Sequence, residues 1–143
     1  MTHIKKFIKL PIVKKFISVE ALFWLVFFKI VLIVTPFRIF SLLLGKHMQY
    51  SEQEVSFQSD SPKTIARCIE RIDAHLPWES KCLVKAAAGK TMLRLRGLPS
   101  TLILGVAKKK KDHLTAHAWL QYGNEVLIGA KGMENYSVIA TFS

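Results

Sequence analysis

Apolar residues recur along this chain with different spacings, and each spacing predicts a different element. Over residues 1–17, Ile4, Phe7, Ile8, Ile12, Val13, Phe16 and Ile17 are set against five lysines, with Pro11 interrupting the run. Ala21 to Phe28 is continuously apolar. Lys29 follows, then Ile30 to Val34, and Thr35-Pro36 stops the stretch. Phe37 to Leu44, closed by Gly45, reads as a further short helix. Residues 46–61 are polar, and the linker is placed at 51–61. Ser61-Pro62 then supplies a cap residue and a proline suited to a first helical position. Ile65, Cys68, Ile69, Ile72 and Leu76 follow at helical spacing, predicting an amphipathic helix over 62–75 that ends before Pro77. A second helix runs from near Ser80 through Ala86-Ala87-Ala88 to about Arg96, stopped by Gly97 and Pro99. Beyond it the period shortens. Residues 100–106, 114–122, 125–128 and 136–140 read as strands, with Ala107–Asp112 as a charged turn and Gly123-Asn124 as a two-residue hairpin turn. Helix, helix, then antiparallel sheet makes the fold class α+β.

Composition narrows the organisation. The 143 residues suit one compact core over 62–143, preceded by a hydrophobic, basic helical segment over 1–50. Half the residues are apolar and the mean hydropathy is +0.25, so a packed core is expected and global disorder is not. The excess apolarity sits mostly before residue 45. Three arrangements suit that segment. In the preferred one, a buried hairpin packs on the rest of the chain. In the second, residues 1–45 make peripheral contact with a membrane. The third is a span, which the lysine in mid-run opposes: a bilayer crossing needs roughly 20 apolar residues. The net charge of +11 favours anionic partners. Nucleic acid is not expected, because no aromatic-basic recognition motif accompanies the charge. Two cysteines make no disulfide framework, and no cleavable signal follows the basic start, so a cytoplasmic location is expected, with membrane association left open. No Cys/His cluster has zinc-ligand spacing, and neither a metal nor another cofactor is called for.

The candidate chemistry lies in Pro77-Trp78-Glu79-Ser80-Lys81-Cys82-Leu83 and, 35 residues after its cysteine, His117-Ala118-Trp119. With Ser80 as N-cap, Cys82 falls in the first turn of a helix, where free N–H groups and the positive end of the dipole favour thiolate. The Cys82 backbone N–H is also the natural first donor to an oxyanion. Cys68, on an apolar stripe, reads as a small buried hydrophobe. His117 shares a strand face with Trp119 and Gln121 and sits between two alanines, a poor place for an unused imidazole. His3, His47, His75 and His113 read as solvent-facing. A thiol at a helix start and an imidazole on a strand are the nucleophile and base of acyl transfer. Counting outward from the turn at 123–124 puts His117 opposite Gly129 or Ala130, neither with a usable side chain. That leaves a backbone carbonyl, water, Gln121 or Glu125 to orient the ring, and supports a dyad better than a triad.

At these residues the chain resembles a known family. Pro77-Trp78, Cys82-Leu83, Leu93 to Pro99, Leu104-Gly105-Val106 and Ala116 to Leu120 follow one another as in the transglutaminase-like leader peptidases of lasso-peptide biosynthesis. The closest type is the stand-alone peptidase half of the "B" maturation protein, and the likeness covers about residues 62–130. The resemblance implies a transglutaminase/papain-like core with the Cys-bearing helix packed on the His-bearing sheet. It also implies a cysteine peptidase that removes the leader from a ribosomally made precursor, with Cys82 as nucleophile and His117 as base. Its partners are then the precursor peptide, a separate leader-recognition protein and an ATP-dependent lasso cyclase. The family's acid falls about twelve residues after the histidine, where this chain has Gly129. Two alternatives stay open: a transglutaminase-like acyltransferase using an amine acceptor, and a catalytically silent membrane-associated binding module.

Overall fold

The computed structural model describes residues 12–43, 61–78, 81–109 and 113–143. The linker placed at 51–61 lies outside these except for Ser61, as do His3, His47 and the helix stop at Gly45.

Among the described residues, four helices accompany a four-stranded sheet, and the last two of them pack on it. Helix α1 (Ile12–Val34) has 23 residues and is followed by the short α2 (Phe37–Leu43). Between them the Thr35 hydroxyl and N–H both donate to the Val31 carbonyl, at 2.6 and 2.9 Å, and Pro36 prevents continuation. Ile17, Ala21, Leu25 and Phe28 recur at spacings of four, four and three, and this stripe is buried against the rest of the chain. Phe40 of α2 meets Phe28 edge-on, ring centroids 5.7 Å apart, and is itself fully buried. The expected packing of the N-terminal segment on the core therefore holds for one face of α1. On the opposite face Phe16, Val19 and Phe23 are exposed.

Helix α3 (Ser61–Asp73) buries Ile65, Cys68 and Ile69. Cys68 is 4 % exposed, the small core hydrophobe its spacing predicts. Helix α4 (Cys82–Leu95) is the centre of the molecule: α1 and α3 pack on it, and it packs on the sheet. Its run Ala86-Ala87-Ala88-Gly89 is buried because small residues let the sheet come close. A Cβ added at Gly89 would sit 2.8 Å from the side chains of both Leu120 and Ile128.

The sheet comprises β1 (Thr101–Lys109), β2 (His113–Tyr122), β3 (Glu125–Ile128) and β4 (Ser137–Phe142) in the antiparallel order β3-β2-β1-β4. Leu102, Leu104, Ala118, Leu120, Ile128, Ala140 and Phe142 form the face that joins the helical core. Strand β1 runs three residues further than its sequence suggests. Ala107, Lys108 and Lys109, expected in a charged turn, pair with Thr115, Leu114 and His113. A central ladder already begun extends cheaply, because each added residue can join the cross-strand pairing. The turn at Gly123-Asn124 pairs Tyr122 with Glu125 as predicted, but the register shifts between Gln121 and Leu120, so Leu120 faces Ile128. Strand β3 ends there, and the backbone of β2 from Ala118 back towards His113 has no β3 partner.

Candidate active site

Helix α4 begins at Cys82, with Lys81 as N-cap in extended backbone (φ −62°, ψ 148°) and no side-chain cap. The expectation that Ser80 caps the helix is replaced by this later start; Ser80 lies outside the described residues. The first helical bond at this end runs from Lys85 N–H to Lys81 O, 3.2 Å. The N–H groups of Cys82, Leu83 and Val84 precede it, which is the usual state of an uncapped helix start. The half-buried Cys82 thiol is directed at the edge of β2, where the Ala118 N–H donates to Sγ at 3.3 Å. That N–H is available because β3 ends at Ile128. Ala118 follows His117, so one short piece of strand carries both the imidazole and a donor to the thiol. The helix terminus and the strand N–H both present positive partial charge to the sulfur.

The imidazole is fixed from the other side. His117 Nε2 lies 2.7 Å from the carbonyl oxygen of Gly129. A carbonyl only accepts, so Nε2 carries the hydrogen, and in the neutral ring Nδ1 is the basic nitrogen. The acceptor thus comes from the position where the resemblance places an acid, supplied by the main chain. Gly129 has φ +81°, and a Cβ there would lie 2.5 Å from Ala118 O and 3.1 Å from Trp119 Cα. No side chain fits without moving the strand, so the acceptor this residue offers is its carbonyl.

Aromatic rings complete the setting. The His117 ring lies against Trp119, centroids 5.9 Å apart and planes at 30°, and against Tyr136, 5.1 Å and 31°. Gly105 pairs with His117 across the sheet. A Cβ at Gly105 would come within 2.9 Å of both the Trp119 ring and Tyr136 Cβ. The sequence did not point to Tyr136, and it marked Gly105 only as part of the Leu104-Gly105-Val106 motif. An isolated glycine in a strand does signal close approach, but nothing local marks Tyr136.

The other expected contributors lie elsewhere. The Gln121 amide donates to Gly123 O at 2.9 Å and belongs to the hairpin turn. Glu125 pairs with Lys63 at 3.3 Å. Neither orients His117. His75 and His113 are exposed, as expected. Trp78 lies under Lys29, whose Nζ is 4.5 Å from the ring centroid, which ties the segment before Cys82 to α1. Among the described residues no group of three His, Cys, Asp or Glu side chains could hold a metal ion.

Comparison with protein families gives a match to the transglutaminase-like superfamily over residues 25–141. Searches of curated proteins and of solved structures gave no match. The match spans most of the chain, and the chain belongs to that superfamily.

Proposed function

From this membership we propose that the chain is a cysteine peptidase that removes the leader from a ribosomally made lasso-peptide precursor. One observation carries the chemistry: the Cys82 thiol is held at the start of α4 against the residue after His117, whose ring is locked on the Gly129 carbonyl. His117 Nδ1 takes the thiol proton, and sulfur attacks the scissile carbonyl carbon. The resulting oxyanion receives the Cys82 N–H. As the C–N bond breaks, the proton on Nδ1 passes to the departing amine, leaving a thioester on Cys82. Water then attacks the thioester, losing its proton to Nδ1, and the carboxylate product leaves with the thiol restored. The Gly129 carbonyl steadies the imidazolium formed in each half. Being neutral, it does so less strongly than a carboxylate.

The substrate class rests on the resemblance carried by the motifs of residues 77–120. Recognition of the leader is assigned to a separate protein, and ring closure of the freed core to an ATP-dependent cyclase. Amine transfer from the same thioester is the second reading; it uses the same dyad and differs only in the acceptor. The test is precursor cleavage with the recognition protein present, followed by mass spectrometry. Wild-type protein should yield a leader one water heavier than the acyl fragment, whereas an amine adduct would mark a transferase. Cys82→Ala and His117→Ala should each lower the rate by about a thousandfold or more. Undiminished cleavage by Cys82→Ala would sink the proposal. A silent module would show Cys82 alkylated no faster than Cys68.

A further inference from the structure

The face of α1 opposite the core is apolar and open. Ile12, Phe16, Val19, Phe23, Ile30 and Ile33 are each more than half exposed, from 55 % at Ile30 to 83 % at Ile12. They recur at helical spacing, so they form one stripe along the helix. By length and composition Lys14–Val34 is able to cross a membrane, with a mean hydropathy of 2.4. Only 28 % of that stretch is buried, unlike the central helix of a soluble core. Isolated exposed apolar residues need no explanation; a continuous stripe along 23 residues does.

Charge selects the occupant. Over residues 1–43 the basic side chains are Lys5, Lys6, Lys9, Lys14, Lys15, Lys29 and Arg38, and the one acid is Glu20. That acid is taken up by Arg96, whose two terminal nitrogens reach its two oxygens at 3.0 and 2.6 Å. An apolar stripe on a segment whose surplus charge is all positive suits an anionic lipid surface. A second copy apposed through the same face would bring like charges together.

The packing selects the orientation. Ile17, Ala21, Leu25 and Phe28 are at most 7 % exposed and belong to the domain core. Spanning would strip them from α3 and α4 and carry Glu20 and Lys29 into hydrocarbon. We propose that α1 lies in the plane of an anionic membrane surface, sinking the Phe16–Phe23–Ile30 stripe among the acyl chains while its other face stays on the domain. The inference is independent of the peptide chemistry assigned to Cys82.

The test is co-sedimentation of the full chain with vesicles of phosphatidylcholine alone and with about a third phosphatidylglycerol. Wild-type protein should pellet with the anionic vesicles and be released by high salt or alkaline carbonate. The double substitution Phe23→Asp, Ile30→Asp should weaken partition at least about tenfold. Its circular dichroism and the alkylation rate of Cys82 should stay unchanged, which separates lost docking from misfolding. Four results would overturn the proposal: no pelleting with either vesicle, equal pelleting of the double variant, resistance to carbonate extraction as a span would show, or a lipid-independent dimer that the double substitution disperses.

Discussion

The two ends of α4 are built on opposite principles. At its C-terminal end a cap and two side chains hold the helix in place. Arg96 is the C-cap, Gly97 adopts φ +70°, Leu98 N–H reaches back to Leu93 O at 2.9 Å, and Gly97 N–H reaches Arg94 O at 3.0 Å. This pair of bonds satisfies the Leu93 and Arg94 carbonyls, and Leu98 packs on the core. The Arg96 guanidinium then clamps α1 through Glu20 and also donates to Met92 O at 2.9 Å. One turn in, the buried Lys90 ammonium donates to Ser100 O at 2.9 Å. At the N-terminal end, Lys81 offers no side-chain cap, and the Cys82 thiol accepts a hydrogen bond from a strand N–H. The capped end ties α4 to α1 and to the residues before β1, and the uncapped end is the one at which the proposed chemistry would take place. Substitutions at the first should therefore change stability, and substitutions around the second should change turnover.

The sharpest contrast after loss of the thiol itself is Gly129→Ala. The methyl group collides with Ala118 O, and the positive φ is unfavourable to any side chain. The Gly129 carbonyl should then leave His117, and cleavage should fall by about 10- to 100-fold, as when the partner of a functional histidine is removed. Strain of about 1–3 kcal/mol should also appear in urea unfolding. Unaltered turnover would mean that the carbonyl does not orient the base.

Arg96→Ala at the capped end should do the reverse. It leaves the largely buried Glu20 carboxylate without its bidentate partner. A loss of about 1–3 kcal/mol in denaturant is expected, with the alkylation rate of Cys82 unchanged at low denaturant.

Lys90 tests the same end through pH. Burial, and secondarily the nearby Arg94, lower its pKa from 10.5 to about 8. Between about pH 8 and 10.5 the unfolded chain binds a proton there that the folded chain has released. The contribution of Lys90 to stability therefore rises with pH across that window, and the cost of burying its charge is fully present below it. Compared with Lys90→Met, wild-type protein should gain on the order of 1–2 kcal/mol from pH 7.5 to 10, read from paired unfolding curves. The smallest effect belongs to Gly97→Ala. Nothing lies within 4 Å of the added methyl, so only the backbone penalty of about 1 kcal/mol applies, with no change in turnover.

What the sequence determined by itself was local. Spacing placed α3, the four strands and the Gly123-Asn124 turn, because burial repeats at the period of the backbone. Gly97 followed by Pro99 marked the helix stop, and His117 between two alanines on a strand made Cys82, at a helix start, its candidate partner. The tertiary structure decided where they sit. A one-residue register shift ends β3 early, frees the Ala118 N–H for the thiol and turns the Gly129 carbonyl onto His117. A carbonyl acceptor is invisible in a sequence, since every residue has one and only the fold aims it. Tyr136 and Gly105 meet the site for the same reason, through contacts between β4, β1 and β2. The N-terminal apolar run was ambiguous because its composition suits a core, a bilayer or an interface alike. Only packing showed that one face of α1 belongs to the protein and the other faces out.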